Sequence, residues 1–177
     1  MINKIIYNTS AQKVLYFLLS HPDKKYYDSE ISRLSKVSKA SANFALRDLV
    51  KINLIYREKK GRMYFYYADA TNPLIQQLKI TQNIIKIQPL VDKLNVRALK
   101  IILYGSGAKG MNHEDSDIDL FILTHMPTAV KSIIYKSPLR EKLQYVVNTP
   151  QDFAKGKLEN PVFSKEITSG IVVYEKK

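Results

Sequence analysis

The chain has 177 residues, of which 45% are hydrophobic, and it carries a net charge of +12 and no cysteine. Disulfides and cysteine-based zinc sites are therefore excluded, and the length suits one domain or two small ones. No apolar run approaches a membrane span and the first residues lack a signal peptide's layout, so the expected location is cytoplasmic.

The charge is unevenly spread. Residues 1–95 hold 16 Lys/Arg against 7 Asp/Glu, a net +9, whereas residues 96–177 hold 12 against 9, a net +3. A polyanionic partner for the N-terminal part follows, with nucleic acid the first candidate. A lysine-rich solvated surface is the plainer alternative.

In chain order, Ala11 to Ser20 carries Val14, Leu15, Leu18 and Leu19 at helical spacing, with Ser10 as N-cap and Pro22 beyond the end. Ser29 to Ser35 predicts a short helix capped by Asp28 or Ser29. A longer one follows over Lys39 to Ile52, capped by Ser38, with Ala42, Ala45, Leu46 and Leu49 on its apolar face. Leu54–Glu58 and Met63–Ala68 alternate as strands, and Lys59-Lys60-Gly61-Arg62 joins them as a hairpin connector.

Three helices followed by a basic-tipped hairpin resemble the winged helix-turn-helix of bacterial and archaeal transcription regulators. By that resemblance the second helix, the turn and the third helix would read double-stranded DNA. Lys39, Ser41, Asn43 and Arg47 avoid the third helix's apolar face and are candidate groove contacts. Lys59, Lys60 and Arg62 at the hairpin tip are candidates for the backbone or minor groove. The same residues would otherwise form an ordinary solvated face, and such modules also serve in protein interaction or dimerisation.

Thr71-Asn72-Pro73 closes this region, with Asn72 as a cap and Pro73 at the first helical position. An apolar linker helix is expected next, broken or kinked near Pro89. A homodimer could form along it. The domains read as 1–71, a linker over 72–95, and 96–177.

The second domain centres on Ile101 to Leu123. Two short apolar runs, Ile101–Tyr104 and Leu120–Leu123, have the length of buried strands and bracket a polar loop. Gly105, Gly107 and Gly110 allow sharp turns and close approach to a ligand. Ser106 adds a hydroxyl, and the loop's N–H groups could form an anion-binding concavity. Asp117 and Asp119, spaced by two, share one face of an extended strand and lie about 7 Å apart along it. Paired acids facing such a loop are what phosphoryl or nucleotidyl transfer requires. The alternative is an acidic hairpin whose glycines only turn the chain.

Gly105-Ser106, Gly110 and Ser116-Asp117-Ile118-Asp119-Leu120 together resemble the signature of the nucleotidyltransferase superfamily typified by DNA polymerase beta. That resemblance implies that Gly105, Ser106, Lys109 and Gly110 hold a nucleoside triphosphate, with ATP foremost. It also implies that Asp117 and Asp119 bind Mg²⁺ and serve catalysis. One departure stands out: such enzymes carry a third carboxylate on a later strand. Here that strand is Lys142 to Val147, and the residue facing the site is Gln144, which can neither take up a proton nor neutralise a cation. Glu141 and Glu166 are the available substitutes, and spacing selects neither.

The remaining pattern gives a short helix over Val130–Tyr135, a helical segment over Gln151–Lys157, and a helix from Pro161 to Ser169 ended by Gly170. A last strand covers Ile171–Tyr174. The fold class is α+β: a winged helix-turn-helix, a linker helix and a small α/β domain on a mixed sheet. Three readings follow. The first is a DNA-binding regulator with a working nucleotidyltransferase domain. The second is an inactive nucleotide-sensing regulator, and the third an antitoxin-type nucleotidyltransferase that modifies a partner protein.

Overall fold

The structure is a computed structural model describing residues 6–22 and 24–176; the reading of the first five residues lies outside them. The chain divides into two compact units, Met1–Gln82 and Asn83–Lys177.

In the first unit, helix α1 (Ser10–Ser20) is capped by Thr9, not Ser10 as expected. The Thr9 hydroxyl accepts from the Gln12 N–H at 3.2 Å while the Gln12 amide oxygen accepts from the Thr9 N–H at 3.0 Å. This reciprocal capping box satisfies two donors that Ser10 alone could not. Val14, Phe17, Leu18 and Leu19 are buried, and Leu15 only partly. A two-residue strand, β1 (Tyr26–Tyr27), is too short for any periodicity to announce. It is held by a Phe17–Tyr26 edge contact at 4.9 Å and by pairing with the hairpin.

Helix α2 (Asp28–Leu34) starts one residue earlier than expected because the Tyr27 N–H donates to the Glu30 carboxylate. Helix α3 (Lys39–Lys51) is capped by Ser38 as read, and buries Ala42, Ala45, Leu46 and Leu49. Strands β2 (Tyr56–Lys60) and β3 (Met63–Tyr67) pair antiparallel with Lys60 opposite Met63. Only Gly61 and Arg62 are left in the turn, so Lys59 and Lys60 are strand residues and not part of a connector. Gly61 sits at φ +61°, the left-handed conformation such a two-residue turn needs.

Helix α4 (Pro73–Leu94) begins with the Asn72 side chain accepting from the Leu74 N–H at 2.9 Å. It runs through Pro89 as one element, where a break or a kink was expected, and so is not broken there. Proline inside a helix costs about 3 kcal/mol. Around it Ile87, Leu90, Val91 and Leu94 are all buried in the second unit's core. Each such burial contributes about 1.5–3 kcal/mol, so packing outweighs the lost hydrogen bond.

The second unit is a four-stranded mixed sheet in the order β6-β5-β4-β7, made of β4 (Lys100–Tyr104), β5 (Ile118–Leu123), β6 (Leu143–Asn148) and β7 (Ile171–Glu175). β4 lies antiparallel to both β5 and β7, whereas β5 and β6 are parallel. Parallel neighbours need a crossover, which α6 (Pro127–Tyr135) supplies after the one-turn helix α5 (Gly105–Ala108). Helices α7 (Pro150–Glu159) and α8 (Pro161–Thr168) precede the last strand.

Alternation sorts β5 onto two faces. Ile118, Leu120 and Ile122 join one core with Ile101, Leu103, Leu90 and Val130. Phe121 joins the other, with Ile102, Tyr104, Val146, Phe153, Phe163 and Ile167. Among the described residues, no helix is long and apolar enough to cross a membrane.

Where α8 meets β7, Gly170 is pressed against β4. A Cβ there would lie 2.5 Å from the Leu103 carbonyl oxygen and 2.7 Å from Ile102 Cγ2. Backbone cannot yield as a side-chain tip can. Gly170→Ala is therefore expected to destabilise the second unit by about 1–3 kcal/mol, the scale of overpacking. Urea unfolding is the check, with a lowered midpoint at unchanged slope the expected result.

Candidate functional site

Strand β4 ends at Tyr104 and the chain turns at once into α5. The turn requires φ +66° at Gly105. A Cβ at that position would lie 2.1 Å from Asp119 Oδ2. Asp119 is paired across the sheet with Tyr104 on one side and with Gln144 on the other. Residues paired in this way project to the same face. Tyr104, Asp119 and Gln144 thus form a row on the face that carries Phe121, α7 and α8. The residue β6 brings alongside Asp119 is neutral.

Asp117 sits exposed one residue before β5 begins, and Asp119 is half-buried within it. The Asp119 carboxyl is pushed above the usual carboxylate range, first by burial and then by the charges of Asp117 and Glu166. The Tyr104 phenol is raised by burial, Asp119 and Glu166. Glu166 therefore lies within electrostatic reach of the row. The geometry agrees: Phe163, one helical turn before it on α8, meets the Tyr104 ring edge-on at 6.0 Å, and Ile167 beside it is buried in the same cluster.

Among the described residues no group of three or more His, Asp or Glu is close enough together to hold a metal ion. Magnesium needs fewer, since one or two protein carboxylates plus substrate phosphates usually suffice. The donor chemistry here fits that pattern. Asp117 and Asp119 would be the ligands, and their mutual repulsion, with Glu166 added, is what a divalent cation would relieve.

The expected polar loop is partly helical. In α5 the first-turn N–H groups have no helical partners, and the Ser106 carbonyl accepts from the Lys109 and Met111 N–H groups at 3.2 and 3.0 Å. Ser106 is half-buried, Lys109 exposed, and Gly110 buried at φ +67°. The chain from there to β5 is fixed by a residue that sequence reasoning passed over. Asn83, 7% exposed on α4, donates to the Gly107 carbonyl at 2.9 Å and to Asn112 Oδ1 at 2.8 Å. A polar residue directly before Ile84 and Ile85 was the available signal. His113 and Ser116 close the acidic end, the Ser116 hydroxyl accepting from the His113 N–H at 2.7 Å.

In the first unit, Lys39 and Arg47 are exposed on α3, whereas Asn43 is half-buried. Ser41 is also half-buried, and its hydroxyl accepts from the capping Ser38 hydroxyl at 2.9 Å. Strand alternation separates the two wing lysines. Lys59 shares a face with Arg57, Tyr64 and the buried Tyr66, while Lys60 lies on the opposite face, 3.7 Å from Glu58. Arg57, unremarked in the sequence, stacks on Tyr64 at 4.5 Å. Arg62 is exposed in the turn.

Residues 82–177 match the family model described as "Polymerase beta, Nucleotidyltransferase". No curated protein matches the chain. Among solved structures, it is similar to a possible transcriptional regulator from Methanosarcina mazei Go1, at 17% identity over 51% of this chain and 84% of that one, with a TM-score of 0.35. It is also similar to human N-acetylserotonin methyltransferase in complex with SAM, at 11% identity over 52% of this chain and 33% of that one, with a TM-score of 0.32.

Two outcomes follow from the crowded carboxylate. Because its folded-state pKa is raised, Asp119 destabilises the fold increasingly as pH rises from the ordinary carboxylate value through the raised one. Asp119→Asn should therefore raise the melting temperature at pH 7. The gap should close as pH falls towards 4. Thermal scans across pH measure it, and added Mg²⁺ should stabilise the wild type and not the variant. Gly105→Ala should displace the Asp119 carboxylate and strain the turn, abolishing that Mg²⁺ stabilisation at a cost of about 1–2 kcal/mol in the fold.

Proposed function

Since the chain belongs to the polymerase beta nucleotidyltransferase family, we propose that its second unit binds a magnesium nucleoside triphosphate, ATP foremost, and transfers a nucleoside monophosphate to a hydroxyl acceptor. The first unit, in the same proposal, is a winged helix-turn-helix that binds duplex DNA as a transcriptional regulator. The observation that supports the catalytic half is the Asp119 carboxylate seated against Gly105, at the residue that opens α5.

In this reading the amides and hydroxyl of Gly105 and Ser106 bind phosphate oxygens, with Lys109 and Gly110 next to them. Asp117 and Asp119 hold the magnesium ion, which when bound supplies neutralisation of phosphate charge. The acceptor oxygen forms a bond to the α-phosphorus, the bond from that phosphorus to the bridging oxygen breaks, and pyrophosphate leaves. The hydroxyl proton needs a carboxylate to receive it. Gln144 cannot, and Glu166 is the carboxylate whose charge reaches Asp119. Positioning supplies much of the remaining rate enhancement.

The neutral Gln144 favours a second reading, in which the nucleotide is bound and sensed without turnover. Labelled ATP with Mg²⁺ separates the two. Label transfer to the chain, a partner protein or a nucleic acid, lost in the exposed-site variant Asp117→Asn by 100-fold or more, supports the enzyme. Mg²⁺-dependent nucleotide binding without transfer supports the sensor, and absence of binding defeats both.

The DNA-binding half rests on the excess positive charge of residues 1–95 and on the exposed cations of α3 and the wing. Affinity for duplex DNA should fall linearly in log–log form as salt rises, with a slope of about −0.9 per phosphate contacted. Lys59→Ala should flatten that slope by about one. An affinity indifferent to salt would rule out phosphate contacts.

A further inference from the structure

Helix α3 turns Ala42, Ala45, Leu46 and Leu49 into the core, and Phe44 projects away from all four. It is 61% exposed. A single exposed aromatic is ordinary on a protein surface; this one carries a cation. The Arg47 guanidinium carbon lies 4.6 Å from the Phe44 ring centroid, one helical turn further along the same outward surface. Lys39 and Lys51 are exposed on this helix too, and Asp48 is the one exposed acid among its residues.

The stack leaves specific chemistry free. A guanidinium whose carbon lies over a ring uses the ring's face, and it keeps N–H donors that the ring does not consume. Those donors are what guanine O6 and N7 accept in a bidentate pair, and an aromatic ring is a suitable apolar neighbour for the C5-methyl of thymine. The cationic surroundings favour duplex DNA over an apolar protein partner as the occupant.

We propose that Phe44 and Arg47 act as one base-reading unit in the major groove, recognising a guanine with a thymine next to it. This deepens the DNA-binding reading of the first unit and rests on it. Phe44 supplies thymine selectivity through the methyl group, and it fixes the plane in which Arg47 meets guanine. Lys39 and Lys51 supply phosphate affinity without sequence preference.

The test uses the full chain. Duplexes selected from a randomised pool should share a guanine beside a thymine. In the selected duplex, replacing that thymine by uracil removes only the methyl group, and should weaken wild-type binding by about four-fold, the burial of one methyl-sized group. Phe44→Ala should bind thymine and uracil duplexes equally, while Phe44→Leu, judged folded by circular dichroism, retains part of the difference. Arg47→Lys keeps the charge and loses the planar fork, so its preference for guanine should fall ten-fold or more.

Uracil tolerated by the wild type, or a uracil effect that persists in Phe44→Ala, overturns the inference and leaves salt-dependent DNA binding intact. So does a Phe44→Ala chain that changes only its self-association, which would mark the patch as a protein interface. A chain that binds no duplex at any salt concentration overturns the DNA-binding reading and this inference together.

Discussion

The carboxylate of Asp119 occupies the space into which any side chain at position 105 would project. That steric constraint orders the rest of the second unit. It demands glycine, glycine admits φ +66°, and the chain can then leave β4 directly into a helical turn. The first-turn N–H groups and the acid of the neighbouring strand are thereby brought together. The fold keeps a carboxyl group half-buried among like charges, an arrangement that opposes stability and is characteristic of sites that await a cation or a proton.

Around this contact, polar groups set position and apolar groups set rigidity. Asn83 holds Gly107 and Asn112 from one side of the sheet, and Phe163 and Ile167 anchor α8 on the other. In the first unit a different device recurs. Cations are laid on aromatic rings: Arg47 on Phe44, Arg57 on Tyr64, Lys25 on Tyr67 at 4.7 Å and Lys60 on Phe65 at 5.9 Å. Each such contact restricts a long side chain, which lowers the entropy lost when that charge meets a partner; Lys25 and Lys60 also pair with Glu58, whereas Arg47 and Arg57 keep their stacks on Phe44 and Tyr64.

The parts of this architecture that are periodic were legible in the sequence. The helical spacing of Ala42, Ala45, Leu46 and Leu49 gave α3 and its buried face, and Ser38 marked its start. Gly105-Ser106 with the Asp-x-Asp pair located the centre of the second unit. What escaped is what depends on tertiary neighbours. Tyr26–Tyr27 is a strand only because β3 lies beside it. Helix α4 passes through Pro89 because its flanks are buried, which no local preference reveals. Glu166 and Glu141 were indistinguishable by spacing; α8 packs on Tyr104, and the charge of Glu166 reaches Asp119, which spacing does not reveal. Lys59 and Lys60 read as equivalent tip residues until strand register put them on opposite faces.

Strand β4 recruits its two neighbours from very different distances along the chain: β5 follows within a short loop, while β7 lies some seventy residues on, last in the order of elements. Assembly during synthesis is consequently staggered. The glycine turn and both aspartates are synthesised some tens of residues before α8, so Glu166 is the last of these groups to be made. The row of Tyr104, Asp119 and Gln144 thus takes its outer neighbours from a part of the chain made after all three strands that carry it.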